Sequence, residues 1–142
     1  MPDSTFGRRI IVAGALLAGL AVTLGAFAAH GLKQVLDSYY LGTFETAVRY
    51  QMYHASALLF VGVLAIVSKF SARWLRLAAV AFILGIGLFS GSLYLLALSG
   101  IRWLGAITPI GGLAFILGWL ALLVAALKVP NQETGERERE GR

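Results

Sequence analysis

Residues 43–68 read TFETAVRYQMYHASALLFVGVLAIVS, and the reading of this stretch decides the fold. Its first half sets Glu45, Arg49, Gln51 and His54 among aromatic residues, and its second half is almost purely apolar. As one helix it is roughly 38 Å long. That is enough to stand with its polar end in the interfacial zone and then cross a hydrocarbon core of about 30 Å. Nearly every side chain able to do chemistry lies in this stretch or just ahead of it.

The surrounding composition agrees. Of 142 residues, 58% are hydrophobic and 13% charged, with mean hydropathy +0.80. A soluble domain carries about 25% charged residues, and one of this size still needs a large polar surface. One compact membrane domain follows. The net charge of +5 and pI near 10 reflect the positive-inside bias rather than a nucleic-acid partner. Without cysteine, disulfides, thiol catalysis and thiolate metal sites are excluded. No phosphate-binding loop or serine-hydrolase elbow is present, and nothing calls for a cofactor.

Outward from the central stretch, residues 1–9 form a polar N-terminal segment ending in Arg8-Arg9. Residues 10–29 carry no charge and have the length of one spanning helix. A cleaved signal peptide is the competing reading, with Ala26-Phe27-Ala28 as its small-x-small site. The run is longer than the usual signal core. It also carries Gly14, Ala18, Ala21, Gly25 and Ala28 on one face, a packing stripe that a discarded peptide does not need. Residues 32–42 read as a short amphipathic segment on the membrane surface, broken at Gly42. Thr43 then serves as N-cap of the second helix.

The second span covers about 48–68, the third 77–98 and the fourth 107–127, so a four-helix bundle over 10–127 is expected. In the third span Gly87 and Gly91 form a GxxxG pair, and Ala78, Ala81, Gly85 and Ser92 form another small face. Gly111 and Gly118 give the fourth span its packing face, and the tight turn 99–105 makes it antiparallel to the third. The tail, 128–142, is charged, lacks apolar anchors and is expected to be disordered.

Lys and Arg set the orientation. Arg8, Arg9, Lys69, Arg73, Arg76, Lys128, Arg137, Arg139 and Arg142 share one side, and Lys33, Arg49 and Arg102 share the other. This asymmetry puts both termini in the cytoplasm of a bacterial inner membrane and the 30–49 region outside.

The strings GAFAAHGLK (25–33), FETAVRYQMYHASALL (44–59), FSGSLYLLALSGIRWLGAITPIGG (89–112) and FILGW (115–119) resemble the transmembrane-protein-256-like family. Its members are small four-span membrane proteins with a domain of unknown function. The resemblance covers about residues 7–127, departing at Ala28, where glycine is expected. It implies membrane location and four helices, with no catalytic residues to carry over.

The candidate functional cluster is His30, Lys33, Glu45, Arg49, Gln51 and His54. Ionisable groups at membrane depth are costly and therefore functional candidates. A hairpin of the first two spans brings His30 and His54 to the same depth. Glu45 and Arg49 have the spacing and order of a helical ion pair. His54 lies about 140° around the helix from Arg49, so it must meet another helix, with His30 or a backbone carbonyl near the end of the first span as the expected partner. No close-spaced ligand pair marks a metal site, and no nucleophile–base pair marks a catalytic one.

Three functions compete. A non-enzymatic packing or accessory component, as a homo-oligomer or in a larger membrane complex, follows from the surplus small faces. A proton-linked or small-molecule transporter needs a polar path, for which the last two spans offer only Ser90, Ser92 and Thr108. A lipid-headgroup-binding protein would use the outward cluster. The first fits the sequence best.

Overall fold

The computed structural model describes residues 4–129, and the regular structure within them is helical: α1 (Ser4–His30), α2 (Ser38–Val67), α3 (Ala72–Gly85), α4 (Gly91–Ser99) and α5 (Thr108–Leu127). A π turn, Ile86–Ser90, joins α3 to α4 without a break. The two therefore form one span, Ala72–Ser99, and four spans are long and apolar enough to cross a membrane. Leu16, Phe60, Leu84 and Leu120 are half or more exposed, as side chains facing lipid are. The tail beyond residue 129 and the first three residues lie outside the described part.

At the centre stands α2, which buries three rows of side chains. Phe44, Gln51, Leu58 and Ala65 form one, Ala47, His54 and Val61 a second, and Ala55 and Gly62 a third. Each row repeats every seven residues, the period that keeps one helix facing another along its length. Against the third row lies α1, antiparallel, through its own seven-residue series of Gly7, Gly14, Ala21 and Ala28, all buried. A Cβ on Gly7 would fall 2.6 Å from the Gly62 carbonyl oxygen, and one on Gly14 would fall 3.0 Å from that of Ala55. Gly7 belongs to the segment that reads as merely polar, yet it holds the tightest point of this interface.

The third and fourth spans interlock through three phenylalanine–glycine pairs. The Phe82 ring fills the hollow at Gly118 and the Phe115 ring that at Gly85, while at Gly111 the backbone of Phe89 itself occupies the space a Cβ would need. The two ring contacts run in opposite directions, so each helix supplies both a ring and a hollow. Gly87 and Gly91, expected in a packing face, meet nothing within 4 Å. They point away from both neighbours, because the faces toward α2 and α5 are taken by Phe82, Ile86, Phe89 and Ser90.

Two boundaries differ from the sequence reading. A short 3-10 turn, Leu32–Gln34, follows α1, and α2 already starts at Ser38. Its cap is Asp37, whose Oδ1 accepts from the Tyr40 amide at 2.9 Å. Gly42 sits inside the helix; one glycine costs about 1 kcal/mol there, which packing of Phe44 and Leu41 offsets. Thr43 does not cap, since its hydroxyl donates to the Tyr39 carbonyl one turn back (2.9 Å). Gly100 ends the third span at φ +70°, a left-handed cap that a side chain would strain.

At one end of the bundle, Arg73 and Lys128 lie over the Trp74 ring at 6.0 and 5.1 Å, and Arg76 lies over Phe6 at 5.6 Å. The start of α1, the start of α3 and the end of α5 thus share one basic, aromatic rim.

Candidate functional site

The early start of α2 decides where its polar residues fall. His54 lies about 24 Å along the helix from Ser38, near the middle of α2 and far from His30. His30 is exposed at the end of α1, and Lys33 is exposed on the turn after it. The expected pairing of the two histidines does not form. His54 instead meets α5: the indole Nε1 of Trp119 donates to His54 Nε2 at 3.2 Å. With Nε2 accepting, Nδ1 carries the proton and donates to the Tyr50 carbonyl at 2.8 Å. This network assigns the tautomer and uses both ring nitrogens of a neutral imidazole. The ring lies flat on Phe115, centroids 3.4 Å apart and planes 7° apart, with Phe82 at 5.5 Å.

One turn away, Gln51 is 2% exposed. Its Nε2 donates to the Leu17 carbonyl of α1 at 2.8 Å, and its Oε1 accepts from Tyr94 of α4 at 2.8 Å. A single amide therefore ties three spans together. Ser90 donates to the Ala47 carbonyl at 2.8 Å. Ser92 donates to the Phe89 carbonyl at 3.0 Å and, its one proton spent, accepts from Thr108 at 2.8 Å. Among the described residues no buried side-chain nitrogen or oxygen is left without a partner.

The π turn makes this alignment possible. Phe82, Ile86, Ser90 and Tyr94 are four apart, and in a regular α-helix such a row drifts around the axis by about 40° per step. The wider i→i+5 turn removes much of that drift where it occurs. Ser90 and Tyr94 consequently both reach α2, at Ala47 and Gln51.

Glu45 and Arg49 are exposed and do not pair as expected. The Arg49 guanidinium donates to the Thr46 hydroxyl at 3.2 Å, three residues back. Together with Gly25 and Val48 they line a cleft between α1 and α2. The six candidates thus divide into His30 and Lys33 at the end of α1 and the turn after it, Glu45 and Arg49 on the cleft, and Gln51 and His54 in the interior. Among the described residues no three His, Asp or Glu side chains gather as a metal site. Trp119, Tyr94 and the Leu17 carbonyl were not legible as partners, being 65, 43 and 34 residues away from the groups they bond.

A family model described as "Protein of unknown function (DUF423)" matches residues 24–112. The chain belongs to the DUF423 family. It is 48% identical over 121 residues to the UPF0382 membrane protein SH2409 of Staphylococcus haemolyticus, covering 85% of this chain and 97% of that protein. It is 50% identical over 123 residues to the UPF0382 membrane protein YwdK of Bacillus subtilis, covering 83% and 95%. No solved structure matches. The DUF423 match takes in Gln51, His54, Ser90, Ser92, Tyr94 and Thr108 and stops before Trp119. Four apolar spans and relatives named as membrane proteins make this an integral membrane protein of a family without known activity.

Proposed function

We propose that this DUF423 protein is a non-enzymatic membrane component that works by packing, as an accessory part of a homo-oligomer or a larger membrane assembly. The observation that carries this reading is the saturation of the interior. Gln51, His54, Ser90, Ser92, Tyr94 and Thr108 spend their hydrogen-bonding groups on one another, on backbone carbonyls or on Trp119. Such bonds hold helices together, each contributing on the order of 0.6 kcal/mol. A transport path needs polar groups that can exchange partners, and this interior favours the packing role. Gly87 and Gly91, open on the lipid-facing side of the third span, supply a surface that a neighbouring helix can approach closely.

The setting is a bacterial inner membrane with both termini cytoplasmic. The shared basic rim of Arg8, Arg9, Lys69, Arg73, Arg76 and Lys128, against Lys33, Arg49 and Arg102 at the other end, supports that orientation. Sedimentation of the protein in mild detergent tests the packing role. The wild type is expected above its monomer mass of 15.2 kDa, and Gly91→Leu is expected to fall to the monomer while keeping its helical content. A wild type that is monomeric both in detergent and by cross-linking in its native membrane contradicts the reading.

A further inference from the structure

The cleft between α1 and α2 is about 230 Å³ and is lined by Gly25, Glu45, Val48 and Arg49. Its depth follows from helix length. The 30 residues of α2 span about 45 Å, some 15 Å more than the hydrocarbon core. Arg73, Trp74, Arg76 and Lys128 hold the opposite rim at its boundary, so the excess projects at the Ser38 end. Glu45 and Arg49, about 10 and 16 Å from that end, straddle the outer boundary, where lipid headgroups meet acyl chains.

At this depth an uncompensated charge is costly, yet the two side chains do not neutralise each other. One N–H of Arg49 goes to Thr46, which leaves the guanidinium other donors in a fixed fork. Glu45 has no ion-pair partner among the described residues. A cation and an anion, one turn apart on one wall, match a ligand that carries both charges at similar separation. Between them on the helix Val48 faces Gly25 of α1 and makes the apolar part of the lining, and a Cβ on Gly25 would meet only Val48 Cγ1, at 3.4 Å.

We propose that this cleft binds the headgroup of a phospholipid bearing a phosphate and a primary ammonium. Arg49 takes the phosphate, Glu45 accepts from the ammonium, and the glycerol backbone lies on Gly25 and Val48. A charge-assisted bond to a carboxylate requires N–H donors, so a trimethylated ammonium fits less well and a headgroup lacking the ammonium less well again. The source is the bilayer rather than a soluble zwitterion, because helix length sets Glu45 and Arg49 at the level where headgroups meet acyl chains.

Native mass spectrometry of the full chain in detergent, titrated separately with phosphatidylethanolamine, phosphatidylcholine and phosphatidylglycerol of the same acyl chains, tests this. Phosphatidylethanolamine is expected to bind about tenfold tighter than the other two, the equivalent of one charge-assisted hydrogen bond. Glu45→Gln is expected to erase that preference, Arg49→Gln to weaken all three lipids, and Gly25→Leu to block the cleft. Because Glu45 and Arg49 are exposed, both variants are expected to melt with the wild type, and melting is measured beside each titration. Equal binding of the three lipids by the wild type, or an undiminished preference in Glu45→Gln, overturns the proposal. Displacement of the lipid by an equal concentration of glycerophosphoethanolamine assigns the cleft to a soluble ligand and overturns it too.

Discussion

The indole N–H of Trp119 donates to His54 Nε2 at 3.2 Å and so bonds the middle of the last span to the middle of the central one. Trp119 is 48% exposed and His54 5%, so the tryptophan keeps its ring in lipid while its polar edge reaches inward. Trp119→Phe removes the donor and is expected to cost about 1 kcal/mol. His54→Ala also removes the stack on Phe115 and leaves an indole N–H unpaired in lipid, and is expected to cost about 2–3 kcal/mol. His54→Gln restores a donor and an acceptor and is expected to recover much of that loss. Thermal melting in detergent reads all three. An alanine variant as stable as the wild type makes the bond incidental.

The Phe82–Gly118, Phe115–Gly85 and Phe89–Gly111 pairs make a second set of expectations. Gly118→Leu drives a branched side chain into the Phe82 ring, and Gly85→Leu does the same at Phe115. Each is expected to lower stability by about 2 kcal/mol or more, since overpacked cores typically lose 1–3 kcal/mol. Gly91→Leu enters open space and is expected to leave the melting of the isolated chain unchanged. Equal losses at Gly91 and Gly118 in the monomer contradict the interlock described.

Gln51 is tested by a double-mutant cycle with Tyr94. Gln51→Leu leaves the Tyr94 hydroxyl without its acceptor, and Tyr94→Phe leaves Oε1 of Gln51 without its donor. The double variant removes both ends. It is expected to cost less than the sum of the singles, with a coupling of about 0.5–1.5 kcal/mol. Strict additivity in chemical or thermal unfolding means the two side chains do not interact.

The four spans were legible because an apolar run of about twenty residues needs no partner to be recognised. The start of α2 was not. Asp37 as a cap and Gly42 as a tolerated interior glycine are read correctly only once Phe44 is seen buried against α4 and the Leu32 turn. Gln51 and His54 stood out as polar residues in an apolar setting, but Trp119 and Tyr94 look like ordinary membrane aromatics until the fold brings them across. The π turn has no sequence signature of its own; the only hint was the four-residue spacing of Phe82, Ile86, Ser90 and Tyr94. Gly87 and Gly91 carry a helix-packing pattern that none of the described residues uses.

Orientation is checked by reporter fusions in a bacterial host. A phosphatase fused after Leu36, in the turn before α2, is expected to be active, and one fused after Arg142 inactive. The reverse pattern overturns the orientation read from the basic rim.

The central claim is that the buried polar groups hold helices together and move nothing across the membrane. Proteoliposomes containing a pH-sensitive dye test it most directly. After an imposed pH step, wild-type vesicles and His54→Gln vesicles are expected to equilibrate at the rate of protein-free vesicles, because both imidazole nitrogens of His54 are committed to Trp119 and Tyr50. A wild-type flux well above that background, abolished by His54→Gln in a protein that melts normally, contradicts the packing role and makes His54 part of a proton path.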